Sequence, residues 1–161
     1  MKKSFRRTLV LLIAIMMMAT ATLTVNAAGT TVAVKKNTAR WVKTKGAYSE
    51  LNRYRKKAKV KVIKKDLGLE KIAKIRAKEM AKYNKFSHTR PNGKSGLSLI
   101  KGNVYKGENI AVGFRTCASV TRAWYNSRGH RNNMLRKQFK KVGIACYEYN
   151  GVRYWVQMFS S

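Results

Sequence analysis

The 161-residue sequence predicts an α+β domain in which helices flank a small antiparallel sheet. Two features carry this prediction. The C-terminal residues form two runs of alternating apolar and polar side chains around Asn150-Gly151, the dipeptide favoured in two-residue type I′ turns. Upstream, apolar residues recur with helical spacing in three separate segments. A hairpin at one end and helices before it indicate helix layers packed on one sheet.

The predicted helices cover residues 47–57, 67–83 and 117–127. Asp66 and Thr116 precede the second and third helices, where their side-chain oxygens can accept bonds from free backbone amides. In the second helix Arg76 and Glu79 can pair at i,i+3. Its apolar stripe comprises Leu69, Ile72, Ala73, Ala77, Met80 and Ala81. Extended segments are predicted at 60–65 and 109–114.

The two-residue turn fixes the register of the hairpin predicted over 142–159. The expected pairs are Tyr149 with Val152, Glu148 with Arg153, Tyr147 with Tyr154 and Cys146 with Trp155. The opposite charges of Glu148 and Arg153 agree with this register, because facing ions of opposite sign stabilise a strand pair.

The N-terminus has the three parts of a secretory signal peptide. Residues 1–27 contain a basic start, an apolar core and small residues before Ala28. An uncleaved membrane anchor is the alternative, since an apolar stretch of about 18 residues can span a bilayer. We predict a secreted protein with no transmembrane span after cleavage. Residues 28–46 predict a leader or linker before a domain over 47–161.

The chain has two cysteines, Cys117 and Cys146. In an exported protein an even pair indicates one disulfide, which would stabilise the fold by about 3–4 kcal/mol through loop closure. Two reduced, buried thiols are the alternative. A disulfide between them would exclude thiol catalysis.

The chain is strongly basic. Four of its 36 basic residues lie in segment 1–27, which leaves 32 against six acidic residues and a net charge of +26. This charge favours a polyanionic partner, such as an anionic cell-wall polymer, lipid head groups or extracellular nucleic acid. No specific nucleic acid is expected, since no nucleic-acid motif is present. The densest charge, eight Lys or Arg among residues 52–65, is either a solvated face or an anion-binding strip.

Three groups of polar residues, 87–90, 107–109 and 127–131, lie at the ends of predicted elements. They contribute His88, Glu108 and His130, two imidazoles and a carboxylate that suit either zinc or acid–base chemistry. Each also fits a structural role, the histidines as hydrogen-bonding residues after a helix and the glutamate as an acceptor in a turn. The residues alone leave both interpretations open.

Four stretches resemble the signature blocks of the CAP superfamily, the cysteine-rich secretory, antigen 5 and pathogenesis-related 1 proteins. They are "FSHTRPNG", "GENIAVG", "AWYNSRGHRNNML" and "VGIACYEYNGVRYWVQMF". The resemblance runs from about Ala47 to the C-terminus and is strongest to the secreted bacterial branch. It implies a three-layer α-β-α sandwich with a small central, mainly antiparallel sheet, in agreement with the order of elements above.

The resemblance also implies a cleft with two histidines and two acidic residues. His88 matches the first histidine, Glu108 the first glutamate and His130 the second histidine. Where the eukaryotic branch has its second glutamate, this chain has Asn126 and Ser127, and no carboxylate. Three candidate ligands remain for Zn²⁺ or another divalent metal, with a water in the fourth position.

We expect Ser127 to line this cleft and a turn at Gly129 to direct His130 into it. Asn109, Ser127 and Arg131 are expected to brace the surrounding loops and not to react. The leading hypothesis is a secreted, non-catalytic binding module of the bacterial envelope, with a His/Glu cleft and a basic surface. The alternative is a metal-assisted hydrolase or peptidase that uses His88, Glu108 and His130.

Overall fold

The computed structural model describes residues 38–161, which belong to one compact unit, Lys36–Ser161. The predicted signal peptide and residues 28–37 of the predicted linker lie outside the described residues. The helices are α1 (Lys45–Lys57), α2 (Leu67–Lys82), α3 (Cys117–Asn126) and α4 (Arg128–Leu135), with a short 3-10 helix at Gly96–Leu99. The strands are β1 (Ala39–Trp41), β2 (Lys64–Lys65), β3 (Lys106–Val112), β4 (Lys141–Tyr149) and β5 (Val152–Ser160).

The sheet is built around the C-terminal hairpin. Its order is β1-β4-β5-β3, with every pair antiparallel, and β2 adds a short parallel pairing to β4. The predicted hairpin register is confirmed, with Glu148 opposite Arg153 and Cys146 opposite Trp155. Asn150 and Gly151 both have positive φ, at 51° and 80°, as a type I′ turn requires.

Alternate side chains of the strands point to opposite faces of the sheet, and each face is covered by helices. On one face α2 packs its buried residues Leu69, Ala73, Ala77, Met80 and Ala81 against Ala145, Val156 and Met158. On the other face α1, α3 and α4 pack against a second cluster that includes Val142, Ile144, Trp155 and Phe159. The predicted three-layer α-β-α sandwich is therefore confirmed.

Side-chain caps begin the helices as the sequence predicts. The Asp66 carboxylate accepts a bond from the Leu69 amide at 2.8 Å. Thr116 and Ser119 form a reciprocal capping box at the start of α3. The predicted i,i+3 pair in α2 also forms, with 2.9 Å between Arg76 Nη1 and Glu79 Oε2. Within residues 38–161, none of the helices combines the length and apolar composition that a bilayer span requires.

The sheet begins inside the segment predicted as a linker. Strand β1 pairs with the end of β4, and Arg40 Nε lies 2.8 Å from a carboxylate oxygen of Glu148. The strand has three residues, all of them exposed, and is too short for a sequence pattern to predict it. The structured part of the chain thus starts before Ala47.

The residues around His130 form a helix and not a turn. Helix α4 begins at Arg128, directly after α3 ends, and Gly129 is not among the residues with positive φ. The predicted turn at Gly129 is therefore wrong. Because α4 buries only Met134 fully, its sequence lacks the apolar stripe that indicates a helix.

The predicted disulfide is not formed, and both cysteines are free thiols. Cys146 lies in the core on β4, whereas Cys117 begins α3 with its Sγ 3.7 Å from the Lys43 carbonyl oxygen. Burial raises the pKa of the Cys146 thiol to about 12. This thiol is therefore protonated at neutral pH and behaves as a small apolar core residue.

Candidate functional site

The candidate site lies at strand β3, which has β5 as its one neighbour among the described residues. Glu108 and Asn109 are consecutive on this strand, so their side chains point to opposite faces of the sheet. Glu108 faces the α2 layer and Asn109 faces the α4 layer. Strand β3 therefore contributes one side chain to a polar cluster on each face of the sheet.

Glu108 is a buried carboxylate with one partner on each oxygen. Its side chain is 3 % exposed; Oε1 accepts from Arg76 Nε at 2.8 Å, and Oε2 lies 2.6 Å from His88 Nδ1. A buried carboxylate is costly unless it is paired and hydrogen-bonded. Both conditions are met here, and the carboxylate fixes the orientation of the His88 ring.

Arg76 is a buried arginine that hydrogen-bonds Glu108 and two further groups. It is 1 % exposed and donates at once to Glu108, to Glu79 at 2.9 Å and to the Ser87 carbonyl oxygen at 2.6 Å. Glu79 in turn receives a second arginine, Arg90, at 2.6 Å. The network ties helix α2 to the segment that carries His88.

Gly96 lets the His88 segment approach Glu108. Its amide donates to the His88 carbonyl oxygen at 2.8 Å. A Cβ at this position would lie 2.5 Å from Glu108 Oε1 and 2.6 Å from Arg76 Nε. Since no real contact is that short, only glycine fits here without displacing the ion pair.

His130 is held by its backbone on the opposite side. Asn109 Nδ2 donates to the His130 carbonyl oxygen at 3.1 Å and to Gln157 Oε1 at 3.0 Å. Asn133, one turn further along α4, donates to Asn109 Oδ1 at 2.9 Å. These amides fix the first turn of α4 on β3 through the backbone of His130.

The environments shift the pKa values of the two imidazoles in opposite directions. The hydrogen bond to Glu108 raises the pKa of His88, although partial burial and Arg76 oppose it. Burial lowers the pKa of His130, and the nearby His88 charge lowers it further. At neutral pH the site therefore pairs a more basic imidazole with a less basic one.

Comparison with known families identifies the fold. The family described as "Cysteine-rich secretory protein family" (CAP) matches residues 48–159, more than half of the chain. The chain belongs to the CAP family. The match begins within one residue of the domain start predicted from the sequence, at Ala47.

Three bacterial proteins are similar to this CAP chain. Protein YkwD of Bacillus subtilis (strain 168) is 37% identical over 112 residues, 67% of this chain and 43% of YkwD, so the chain spans less than half of that relative. An extracellular protein containing an SCP domain from Bacillus anthracis str. Ames is 26% identical, with a TM-score of 0.66, over 73% of this chain and 39% of its own. An outer surface protein of Borrelia burgdorferi shares the fold, with a TM-score of 0.69 and 23% identity over 77% of this chain and 98% of its own.

The site residues of this CAP chain are not arranged as the predicted three-ligand metal site. Both oxygens of Glu108 are engaged, one by Arg76 and one by His88. Among residues 38–161, no three His, Cys, Asp or Glu side chains are arranged to hold a metal ion. The residues present therefore do not fit zinc on three protein ligands. Glu108 instead orients His88 and leaves Nε2 as the ring nitrogen that can meet a ligand.

The remaining predicted residues differ in the contacts they make. Ser127 links α3 to α4 and begins α4, but its side chain makes no capping bond. Arg131 donates to the Tyr125 carbonyl oxygen at 2.9 Å and so holds the end of α3. Asn109 contacts the backbone of His130, as described above.

Sequence reasoning missed Arg76 and Gly96 as parts of this site. Arg76 was expected only as an i,i+3 partner of Glu79, but its principal contact lies 32 residues away along the chain. An available signal was its position, since Arg76 falls between Ala73 and Ala77 on the apolar stripe of α2. A charged residue on a buried stripe requires a buried partner.

We expect nuclear magnetic resonance titration of residues 36–161 to show the two imidazoles titrating on opposite sides of about 6.5, the ordinary value. His88 is expected above it and His130 below it, because Glu108 stabilises one imidazolium and burial disfavours the other. Glu108→Gln should return the pKa of His88 toward the ordinary value and leave His130 lowered. Equal pKa values, or the reverse order, would contradict the geometry.

The same shifts give the pH dependence of stability. A raised folded-state pKa means that His88 contributes stability below its unfolded pKa, and that this contribution is lost as pH rises through the folded-state value. The lowered pKa of His130 works in the other direction, so its protonation destabilises the fold as pH falls. The two effects oppose each other around neutral pH.

Proposed function

We propose that this CAP chain is a secreted, non-catalytic binding module of the bacterial envelope. It holds an anionic polymer on its basic exterior and keeps the cleft of His88, Glu108 and His130 for a small ligand. In this proposal Ser127 lies at the rim of that cleft. The proposal rests on how the acidic residues are used.

All six acidic residues of the chain have partners within the chain, some buried and some at the surface. Asp66 caps α2. The other five form ion pairs with arginine, lysine or histidine, and these acids are Glu50, Glu70, Glu79, Glu108 and Glu148. The carboxylates therefore neutralise only their immediate partners. The large remaining positive charge faces solvent, where it attracts polyanions.

Secretion is supported by two independent observations. The sequence begins with the pattern of a signal peptide. Two structural neighbours are described as an outer surface protein and an extracellular protein. A basic exterior on a secreted bacterial protein favours retention at anionic wall polymers or lipid head groups.

The cleft supports ligand binding better than hydrolysis. A metal-assisted hydrolase needs Glu108 either on the metal or free to take a proton from water. Here the carboxylate is buried between Arg76 and His88, and each of its oxygens already has a partner. The His88 side chain, 59 % exposed above this carboxylate, presents one ring nitrogen to a ligand.

The experiment is a titration of purified wall teichoic acid with residues 36–161, followed by calorimetry at increasing salt. The segment contains every described strand and helix and both hydrophobic clusters, so we expect it to fold alone. Affinity is expected to fall steadily with salt and to be lost near about 1 M, where the Debye length is about 3 Å. A His88→Ala/His130→Ala variant should bind the polymer equally well.

Two results would overturn the proposal. The first is binding that does not respond to salt, since this would exclude an electrostatic surface. The second is peptide hydrolysis that chelators abolish and that His130→Ala removes in a folded variant, since this would favour the metal-assisted alternative.

A further inference from the structure

A basic groove lies away from the histidine cleft, between the C-terminal end of α1, strand β2 and the segment before β4. It encloses a cavity of about 340 Å³. Six of its eight lining residues are cationic, none is acidic, and the lining residues are Arg55, Lys61, Val62, Lys64, Lys137, Phe139, Lys140 and Lys141. We call this set the lysine groove.

The inner wall of the lysine groove holds a buried cation that has no carboxylate partner within residues 38–161. Arg55 is 1 % exposed, and its guanidinium donates to carbonyl oxygens. The acceptors are Lys61 at 2.8 Å, Met134 at 2.7 Å, Arg136 at 3.2 Å and Phe139 at 3.1 Å. Burial at 1 % exposure removes this guanidinium from water and lowers the pKa of Arg55. An anion in the cavity would offset the cost of that burial.

The rim of the groove places like charges against each other. In the parallel pairing of β2 with β4, Lys64 lies directly opposite Lys141. Like charges at facing strand positions destabilise a sheet. No carboxylate relieves them, because all six acidic residues are engaged elsewhere by the contacts described above. The fold therefore maintains an electrostatic repulsion that a bound anion would remove.

The groove continues into a second cavity. This cavity encloses about 390 Å³ and shares Lys137 and Lys140 with the first. Its other lining residues are Tyr105, Gln138 and Ser161. Two adjoining basic cavities fit a chain with repeated anionic groups better than they fit one small anion. The apolar Val62 and Phe139 can contact the uncharged part of each repeat.

We propose that the lysine groove is a binding site for a phosphodiester polymer, with successive phosphates in the two adjoining cavities. Lysine ammonium groups bind phosphate as compact point charges, and Arg55 supplies a fixed positive charge behind them. The inference rests on the proposed function and deepens it, because it places the anionic polymer at one site on the basic exterior.

The test is fluorescence anisotropy with a labelled synthetic glycerol-phosphate oligomer and residues 36–161 at physiological salt. The groove variant is Lys137→Gln/Lys140→Gln, which removes the two lysines shared by both cavities. The matched control is Lys78→Gln/Lys82→Gln, two exposed lysines in the C-terminal half of α2. Both variants lose two positive charges, so the non-specific electrostatic attraction to the oligomer falls by the same amount.

We expect the groove variant to bind the oligomer at least about tenfold more weakly than the control, a change of about 1.4 kcal/mol. Lys141→Gln should weaken binding yet raise the thermal stability of the free protein, because it removes the repulsion with Lys64. Substitution of a lysine that served only to stabilise the fold would not weaken binding and at the same time raise thermal stability.

Each of the following outcomes would reject one part of the proposal. Equal losses in the groove variant and the control would reject the groove and leave the proposed function standing. A polyglutamate of equal charge that binds as tightly as the oligomer would reject phosphate as the ligand group. Tighter binding to phosphatidylglycerol vesicles at equal phosphate would reject an extended polymer. Failure of the unmodified protein to bind any of these polyanions would reject the proposed function itself.

Discussion

Replacing Arg76 by methionine is expected to lower the free energy of unfolding by about 3–5 kcal/mol. The substitution leaves the Glu108 carboxylate, 3 % exposed, without its buried partner, and removes the donor to the Ser87 carbonyl oxygen. Methionine keeps most of the apolar volume, so the effect comes from the lost charge pairing. Urea unfolding of residues 36–161, followed by circular dichroism, measures the change.

The matched control is Arg90→Gln, which removes the outer partner of Glu79. Glu79 keeps its bond to Arg76 in this variant, so no buried charge is left unpaired and we expect a smaller loss, about 1–2 kcal/mol. A double variant, Arg76→Met/Glu108→Gln, should regain part of the stability because no buried carboxylate is left unpaired. Equal losses for Arg76→Met and Arg90→Gln would show that Arg76 does not support the site.

Gly143→Ala is expected to destabilise the fold by more than about 3 kcal/mol or to prevent folding. A Cβ at this position of β4 would overlap the backbone carbon of Leu69 and the backbone nitrogen of Glu70. These atoms belong to the first turn of α2 and cannot rotate away, so the whole helix would have to shift. Thermal unfolding of residues 36–161 measures the effect.

Gly129→Ala is the control for this substitution. Gly129 lies in α4 with nothing within 4 Å of an added Cβ, and alanine favours a helix by about 0.5–1 kcal/mol. We expect this variant to be more stable than the unmodified protein. A Gly143→Ala protein with unchanged stability would contradict the close packing of α2 on β4. A destabilised Gly129→Ala would favour the turn first predicted there.

The parts of the fold that the sequence predicted depend on local rules. Asn150-Gly151 selects one turn type, and that turn determines the register of β4 and β5. Asp66 and Thr116 mark the starts of α2 and α3 because free amides at a helix N-terminus require an acceptor. Each of these signals acts within a few residues of the chain.

The missed parts depend on contacts between distant residues. Strand β1 forms by pairing with the edge of β4, where Ala39 lies opposite Tyr149. Helix α4 is polar and is fixed by amide contacts from Asn109 on β3. For Glu108 the sequence left a metal ligand, an acid–base group and a structural acceptor open, because its sequence neighbours say nothing of Arg76. Local patterns contain no information on such partners.

The disulfide prediction is wrong for the same physical reason. Cys117 and Cys146 pack within the same hydrophobic cluster, and the pairing expectation came from their number and from export alone. Sequence distance does not show whether two thiols have the geometry that a disulfide requires. The structure uses Cys146 as a core residue and places Cys117 at a helix start.

The most direct test of the central claim is retention of residues 36–161 on isolated bacterial walls at physiological ionic strength. The same walls are assayed before and after removal of their anionic polymer. We predict that the protein sediments with intact walls and stays in solution with stripped ones, because its uncompensated positive charge needs an anionic partner. Equal retention on both preparations would contradict the claim.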